Sequence, residues 1–297
     1  VQMDFDIFLE MIPPVLLIYS FVFGAAYVAF SSAQLEKSTK ALIHTIIAPD
    51  QTPSRQVVSY ATLSQVPAPV ARYLRLALTP GHEAPHRIRI SQDGEIRLKN
   101  DDRAWKPFSA RQYMQADQPA FVWDARVDFM PVIFDARVVD NYQQGRAGMR
   151  VKLMSALPLV NEMDRPELAQ GALMRYLGEA VWCPTILLPH PGLDWEAIDD
   201  RSARAVLSDH EHTVSLVFHF NERNEVERVE TDRRYREMDG QYVATPWTGY
   251  FRDYVDHGDM HIPLQAAAQW NLPEGDFTYW RGRIRSIEYD PRPSIWE

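Results

Sequence analysis

The chain has 297 residues, of which 24% are charged and 46% are hydrophobic, so its composition is that of an ordinary globular protein. Its formal net charge of −9 argues against DNA or RNA as a partner, because nucleic-acid-binding proteins present basic patches to the phosphates. The single cysteine, Cys183, excludes an internal disulfide bond and leaves the cellular compartment open.

The first predicted element is a helix in the run MIPPVLLIYSFVFGAAYVAF at residues 11–30, where twenty consecutive residues carry no charge. At about 1.5 Å of rise per residue, such a helix covers the roughly 30 Å hydrocarbon layer of a membrane. Three acids and no base precede the run, whereas a cleaved signal peptide begins with basic residues. We therefore expect residues 1–32 to form a retained transmembrane anchor, with a buried helix of a globular core as the alternative.

The charges beside this helix predict its orientation. Because the next basic residues are Lys37 and Lys40, the positive-inside rule favours a single-pass protein of the bacterial inner membrane with its C-terminal domain in the cytoplasm. Long domains also cross membranes irrespective of flanking charge, so the periplasm stays an alternative. Small residues at Gly24, Ala25 and Ala29 favour close contact with a partner helix.

Residues 33–66 are expected to form a stalk and a linker. A helical pattern continues into this segment and places several apolar residues on one face: Leu35, Leu42, Ile43, Ile46 and Ile47. A second, shorter helix is predicted from Val70 to Leu78, and Pro67 and Pro69 mark its beginning.

Residues 67–297 have the pattern of a β-rich soluble domain. The pair Asp93-Gly94, flanked by alternating apolar residues, predicts a hairpin turn. The segment FVWDARVDF at 121–129 alternates cleanly and predicts a half-buried antiparallel strand. Segment 225–236 carries charges on both faces, so we expect it at a sheet edge or exposed on one broad polar side. Further strands are predicted at 145–153, 212–221, 242–254, 262–270 and 279–289.

One clear helix is predicted between the two groups of strands, from Pro166 to Val181. Strands, a helix and then strands again predict an α+β fold that is mostly β, with a curved antiparallel sheet around one or two helices. The chain shows neither the alternation of strands and helices that a parallel sheet needs nor a repeat of fixed period.

Four sequence blocks resemble those of an uncharacterised bacterial family of unknown function, whose members often have one N-terminal membrane helix. The blocks are RYLGEAVWCPTILLP at 175–189, WEAIDD at 195–200, TPWTGYFRDY at 245–254 and YWRGRIRSIEYD at 279–290. The resemblance implies an architecture similar to that of the LolA and LolB lipoprotein carriers, in which a half-open β-barrel encloses an apolar cavity. This likeness concerns the fold alone and implies no activity.

The motifs of common cofactor and metal chemistry are missing from the sequence. It contains no G-x-G-x-x-G, no G-x-x-x-x-G-K-[ST], no G-x-S-x-G and no H-E-x-x-H, so we expect neither a cofactor nor a metal. Histidines and acids do cluster at 209–212 and 256–261. Both clusters coincide with predicted turns, where consecutive side chains splay apart, so solvated turns are the preferred interpretation.

Carboxylates are the best catalytic candidates if the domain is an enzyme. Glu179, beside Trp182 in an apolar groove, could act as a general acid or base, with Asp199 or Asp200 as an ionised partner. This arrangement would suit a hydrolase or isomerase acting on a hydrophobic substrate. The preferred interpretation is structural, namely a glutamate at a helix end and aspartates that cap a turn.

All eight tryptophans fall in the predicted β-rich domain. Aromatic walls suit a packed core, which is the first interpretation, and also an apolar ligand cavity. The candidate ligand-binding residues are Trp123, Trp182, Trp195, Trp247, Tyr250 and Trp270. We therefore expect a non-enzymatic protein that either holds a lipid or hydrophobic small molecule at the bilayer or is an accessory subunit of a larger integral membrane protein complex.

Overall fold

The structure is a computed structural model that describes residues 5–47, 56–97, 104–130 and 134–291. The helices are α1 (Phe5–Ile47), α2 (Ala68–Ala77) and α3 (Pro166–Glu179), and short 3₁₀ turns cover Tyr60–Gln65, Ala180–Trp182 and Pro184–Leu187. The strands are β1 (Arg87–Ile96), β2 (Lys106–Gln115), β3 (Ala120–Met130), β4 (Phe134–Gln143), β5 (Arg146–Leu153), β6 (Leu157–Met163), β7 (Leu193–Asp199), β8 (Ser202–Asp209), β9 (His212–Phe220), β10 (Val226–Met238), β11 (Gln241–His257), β12 (Met260–Trp270) and β13 (Phe277–Tyr289).

These strands form a single 13-stranded antiparallel sheet made of two meanders. The first meander runs from β1 to β6 and the second from β7 to β13, and pairing of β1 with β13 joins them. The two edges of the sheet are therefore β6 and β7. Helix α3 and the two 3₁₀ turns after it connect one edge to the other.

The sheet curves around α3. This helix contacts β4 and β5 in the first meander and also β9 and β10 in the second. In addition, the hydroxyl of Tyr142 on β4 donates a 2.7 Å hydrogen bond to Asp209 at the end of β8. In a flat sheet, with strands spaced by about 4.8 Å, these two strands would lie on the order of 40 Å apart. The predicted mostly-β α+β fold, with a curved antiparallel sheet around helices, is confirmed.

The hydrophobic core fills the concave side of the sheet. Helix α2 buries an apolar face formed by Val70, Tyr73, Leu74 and Ala77. Helix α3 begins with Pro166 in its first turn, where a missing N–H costs least, and buries most of its length. Both helices were predicted at these places from helical spacing, and the boundaries differ by at most two residues.

The C-terminal part of α1 packs on the outer face of the sheet against β2 and β3. The predicted apolar face is confirmed, since Leu35 and Ile46 are buried and the other three residues of that face pack against them. Helix α1 continues without a break through residue 32, where the boundary of the anchor was expected.

Polar contacts fix this part of α1 to the sheet. Arg137 on β4 reaches Glu36 on α1 at 2.6 Å and Asp124 on β3 at 2.7 Å. The backbone carbonyl of Ile46 accepts a 3.0 Å hydrogen bond from Gln115. The contacts with the sheet account for the burial of a helical stretch that the sequence predicted to be a stalk.

The preceding part of α1 exposes large apolar side chains, which are those of Tyr19, Phe21, Val22, Phe23, Tyr27 and Phe30. Side chains 5–15, 17 and 18 lie outside the described part of the chain, so the apolar run predicted at 11–30 is covered only in part. Within the residues that the structure describes, no helix is both long and apolar enough to cross a membrane. The membrane anchor and the inner-membrane location stay predictions from the sequence.

One sequence-based prediction about the sheet was wrong, and one of the two alternatives for segment 225–236 is excluded. Asp93-Gly94 does not form a turn, because β1 continues through both residues. The glycine instead allows β13 to approach closely, since a Cβ at Gly94 would lie 2.1 Å from the carbonyl oxygen of Arg281. Strand β10 is not at an edge, because it pairs with β9 on one side and β11 on the other. The strands predicted at 121–129, 145–153, 212–221, 242–254, 262–270 and 279–289 are all present.

Candidate functional site

A cavity of about 380 Å³ lies on the concave side of the sheet, between the two meanders and the C-terminal end of α3. Ligand pockets in proteins typically enclose roughly 300–1,000 Å³. The lining comes from distant parts of the chain and is mostly apolar: Ile96, Trp123, Val127, Phe129, Ala136, Val138, Asp140, Met149, Val151, Val160, Arg175, Gly178, Glu179, Trp182, Arg234, Trp247, Gly249, Phe251, Ala266, Ala267, Ala268, Tyr279 and Trp280.

Small residues keep this space open. Strand β12 contributes three consecutive alanines, 266–268, while Gly178 and Gly249 line the cavity from α3 and β11. At Gly249 a Cβ atom would lie 2.9 Å from the indole of Trp247, so the glycine makes room for that ring. Larger side chains at these positions would occupy the cavity or displace its aromatic walls.

Three of the candidate ligand-binding residues line the cavity together. Trp123 on β3, Trp182 after α3 and Trp247 on β11 come from separate segments and meet here. Tyr279 and Trp280 on β13 complete the aromatic wall, and the indole N–H of Trp247 donates a 3.1 Å hydrogen bond to the hydroxyl of Tyr279.

The other three candidates do not line the cavity. Trp195 packs edge to face on Phe218, with 5.2 Å between the ring centroids. Trp270 stacks on the ring of Tyr279 from outside the lining, at 5.7 Å. Tyr250 is 37% exposed and points to the opposite face of the sheet, because its neighbours on both sides line the cavity and successive strand residues alternate.

A buried ionic cluster forms one wall of the cavity. Arg175 on α3 lies between two carboxylates, with its Nε 2.7 Å from Glu179 Oε1 and its Nη1 2.7 Å from Asp140 Oδ2. The amide of Gln112 donates a 2.5 Å hydrogen bond to the second carboxylate oxygen of Glu179. The Arg175 guanidinium also lies 5.0 Å from the ring centroid of Trp123, a distance suited to a cation–π contact.

Burial and the neighbouring charges shift the pKa values of Asp140 and Arg175 in opposite directions. Burial raises the pKa of Asp140 above its ordinary value, and the nearby charge of Arg175 offsets only part of that effect. Burial also acts to lower the pKa of Arg175, but Glu179 and Asp140 together outweigh it, so the pKa is raised. Arg175 is therefore held as a cation by two carboxylates, and its charge is already matched inside the protein.

A second guanidinium in the lining, that of Arg234 on β10, is not matched in this way. Among the described residues it has neither a hydrogen-bond nor an ion-pair partner, and its Nη1 atom is buried. The ring of Trp247 lies beside it, with its centroid 4.7 Å from Cζ, and the charges of Asp140 and Glu179 also act on it. Burial lowers the pKa of Arg234 below its ordinary value. The indole Nε1 of Trp182, another lining residue, is likewise buried without a partner in the part of the chain described.

The carboxylates proposed for catalysis are not brought together. Glu179 does lie with Trp182 on the cavity wall, but both of its oxygens accept hydrogen bonds from protein groups. Asp199 and Asp200 are exposed at the turn between β7 and β8. There, Asp199 accepts a 2.8 Å hydrogen bond from the backbone N–H of Arg201, which lowers the pKa of Asp199.

The two histidine clusters take part in local contacts. His212 is buried rather than solvated, and its Nε2 lies 2.9 Å from the carbonyl oxygen of Gly145. His261 lies between Asp256, at 2.6 Å, and Glu225, at 3.3 Å. In the described ranges no group of three or more histidine, cysteine or acidic residues is arranged to hold a metal ion.

The candidate helix-contact residues Gly24, Ala25 and Ala29 are exposed on α1. Sequence reasoning missed Arg175, Asp140 and Arg234. The i, i+4 spacing of Arg175 and Glu179 was the one local signal available, while Asp140 and Arg234 lie in strands and reach the cavity only through the curvature of the sheet.

Comparison with known proteins gives a family but no activity. No curated protein matches the chain. A LolA superfamily protein from Nitrosomonas europaea is similar in structure, with 11% identity, coverage of 81% of this chain and 97% of the other, and a TM-score of 0.36. A beta-barrel-like protein of the domain of unknown function DUF1849 from Brucella abortus has 11% identity, coverage of 69% and 98%, and a TM-score of 0.22. Residues 64–289 match a family of unknown function, so the chain belongs to the DUF6920 family, as the resemblance of its sequence blocks predicted.

Proposed function

We propose that this protein is a non-enzymatic binding protein that holds one lipid or other hydrophobic small molecule in the cavity. The observation that carries the proposal is a cavity of about 380 Å³ with a mostly apolar lining, kept open by small residues in three different elements. An apolar concave site with few polar groups is the usual form of a small-molecule site.

The size of the cavity indicates the size of the ligand. One water occupies ~30 Å³ in the liquid. A cavity of about 380 Å³ therefore holds on the order of a dozen groups of that size. A hydrocarbon chain of about a dozen carbons would therefore match the cavity in volume. Each methylene transferred from water into such a site contributes about 0.8 kcal/mol, so the apolar part alone could supply most of the affinity.

The arrangement of the carboxylates favours binding over catalysis. Glu179 is engaged by Arg175 and Gln112, and the two aspartates considered as its partners are exposed on the turn between β7 and β8, outside the cavity lining. A general acid or base must lie within hydrogen-bond reach of the reacting group, and both carboxylates of the described lining, Asp140 and Glu179, are already engaged by Arg175.

Titration with the neutral fluorophore N-phenyl-1-naphthylamine tests the proposal. We expect its emission to increase saturably with a stoichiometry of one per chain, and an alkane of about a dozen carbons to displace it. A linear, non-saturable signal, or fluorescence that the alkane leaves unchanged, would contradict binding in a defined cavity.

We also propose, as a second function, that the protein is an accessory subunit that binds a helix of a partner protein through α1. The exposed large apolar side chains between Tyr19 and Phe30 favour it, because monomeric proteins rarely expose such a surface. Gly24, Ala25 and Ala29 lie within this stretch and would allow close helix contact.

Chemical cross-linking in the native host, comparing wild type with Gly24→Leu, tests this second function. We expect the variant to lose the cross-linked partner band while cavity binding of the fluorophore is unchanged, since a side chain at Gly24 meets no described atom within 4 Å. Identical cross-linked bands in the two proteins would contradict a contact at this helix face.

A further inference from the structure

The two arginines of the cavity wall differ in one respect. Arg175 donates to two carboxylates and lies 3.3 Å from the amide oxygen of Gln112, so most of its hydrogen-bonding capacity is used. Arg234 has no hydrogen-bond or ion-pair partner among the described residues. The difference indicates that Arg175 is structural and that Arg234 is available to a ligand.

A guanidinium without a partner is costly inside a protein. Burying a charged group with unused donors is unfavourable unless an acceptor is present, and a carboxylate matches the fork of a guanidinium with two parallel hydrogen bonds. The ring of Trp247 covers one side of Arg234 but accepts none of its in-plane N–H groups. The indole N–H of Trp182, another residue of the lining, is also buried without a partner in the described part of the chain.

Apolar groups form the rest of the lining, so any ligand that satisfies Arg234 must combine an acceptor with a hydrocarbon part. We propose that Arg234 is the anchoring site for the carboxylate of a carboxylate-headed amphiphile, such as a fatty acid of about a dozen carbons, whose chain occupies the apolar part of the cavity. This inference rests on the proposed binding function and adds the chemical class of the ligand and the residue that recognises its head group.

The experiment compares dodecanoate with its uncharged analogue methyl dodecanoate. The affinity of each is measured by displacement of N-phenyl-1-naphthylamine. The comparison separates the contribution of the head group to affinity from that of the hydrocarbon chain. The wild-type protein should bind dodecanoate about 10- to 100-fold more tightly than the ester, as expected for a hydrogen bond to a charged group. In Arg234→Gln the affinity for dodecanoate should fall to that for the ester, while affinity for the ester stays within about twofold.

The matched control is Arg236→Gln. Arg236 belongs to the same strand and also lies over a tryptophan ring, that of Trp270 at 5.8 Å, but it does not line the cavity. This variant should keep the full preference for dodecanoate. Circular dichroism checks the folding of each variant, and Arg234→Lys, which retains the charge, should preserve part of the preference if Arg234→Gln does not fold.

Each result bears on a different part of the inference. If the wild type binds dodecanoate and the ester equally, or if Arg234→Gln keeps the preference, Arg234 is not a carboxylate anchor and the hydrophobic binding function still stands. If neither molecule displaces the fluorophore and the fluorophore itself does not bind, the binding function fails and the anchor fails with it.

Discussion

Arg175 of helix α3 and Asp140 of strand β4 form an ion pair inside the curved sheet, with 2.7 Å between Nη1 and Oδ2. The pair connects the central helix to the first meander at the cavity wall. On the other side of α3, the helix packs against β9 and β10 of the second meander. The ion pair therefore helps to fix the position of the helix on which the shape of the cavity depends.

Removing the cation from this pair should destabilise the protein strongly. In Arg175→Leu both Asp140 and Glu179 lose their compensating charge while still buried, and losses of this kind are about 3–5 kcal/mol. Urea denaturation followed by circular dichroism measures the change. Asp140→Asn is the control and should cost less, because Arg175 keeps Glu179. A loss below about 1 kcal/mol for Arg175→Leu would show that the cluster is not a structural element.

The docking of α1 should depend on pH through Glu36. Partial burial opposes ionisation of Glu36, but the hydrogen bond and charge of Arg137 outweigh it and hold the pKa below its ordinary value. A carboxyl with a lowered pKa in the folded state contributes stability above the unfolded pKa of about 4.5, and that contribution is lost as the pH falls through the folded pKa.

This pH dependence is checked by measuring the unfolding free energy of wild type and of Glu36→Gln from pH 7 to pH 3. We expect wild type to be the more stable at pH 7 and the difference to shrink below about pH 4.5. Solvent screens the pair, since the Glu36 side chain is 45% exposed, so the effect should be small. A difference that does not change with pH would rule out the ionised carboxylate as its source.

Filling the cavity should abolish ligand binding without unfolding the protein. Ala268 lines the cavity on β12, so in Ala268→Leu the added atoms enter empty space instead of a packed core. Affinity for N-phenyl-1-naphthylamine should fall about tenfold or more, with stability changed by less than about 1.5 kcal/mol. Ala244→Leu, at an exposed position of β11, should leave the affinity unchanged. Equal affinities in the two variants would place the fluorophore elsewhere.

Gly94 should be sensitive to the addition of a single methyl group. In Gly94→Ala the new Cβ would lie 2.1 Å from the carbonyl oxygen of Arg281, so β1 and β13 would have to separate where they join the two meanders. We expect a loss of about 1–3 kcal/mol in thermal or urea unfolding. The control is Gly171→Ala in α3, where nothing lies within 4 Å and a helix gains up to about 1 kcal/mol from alanine.

The difference between these two glycines illustrates what a local pattern can predict. Asp93-Gly94 has the residues of a hairpin turn, and the sequence gives no sign that this glycine is needed for contact with a strand almost 190 positions later. For segment 225–236 the charge pattern left an edge strand and a strand exposed on one broad polar side as alternatives and could not decide between them. Its neighbours in the sheet, not its charge pattern, make it an interior strand.

The candidate site was predictable to a smaller extent than the fold. The abundant aromatic residues indicated either the wall of a ligand cavity or a packed core. Trp123, Trp182 and Trp247 do line the cavity. Trp195 and Trp270 belong to packed regions beside it. Alternation along a strand tells which residues share a face. It does not tell which face turns inward, nor where two distant strands leave a gap between them.

The sequence by itself determined the elements, because the period of apolar residues specifies strand or helix within a few positions along the chain. It thereby determined the mostly-β class, the packing face of α1 and the positions of α2 and α3. Only the tertiary structure decided which strands face each other across α3, and with it that Arg175, Asp140 and Arg234 share one cavity wall. The physical reason is that curvature and long-range register depend on contacts between residues far apart in sequence, such as Tyr142 with Asp209, which no local pattern contains.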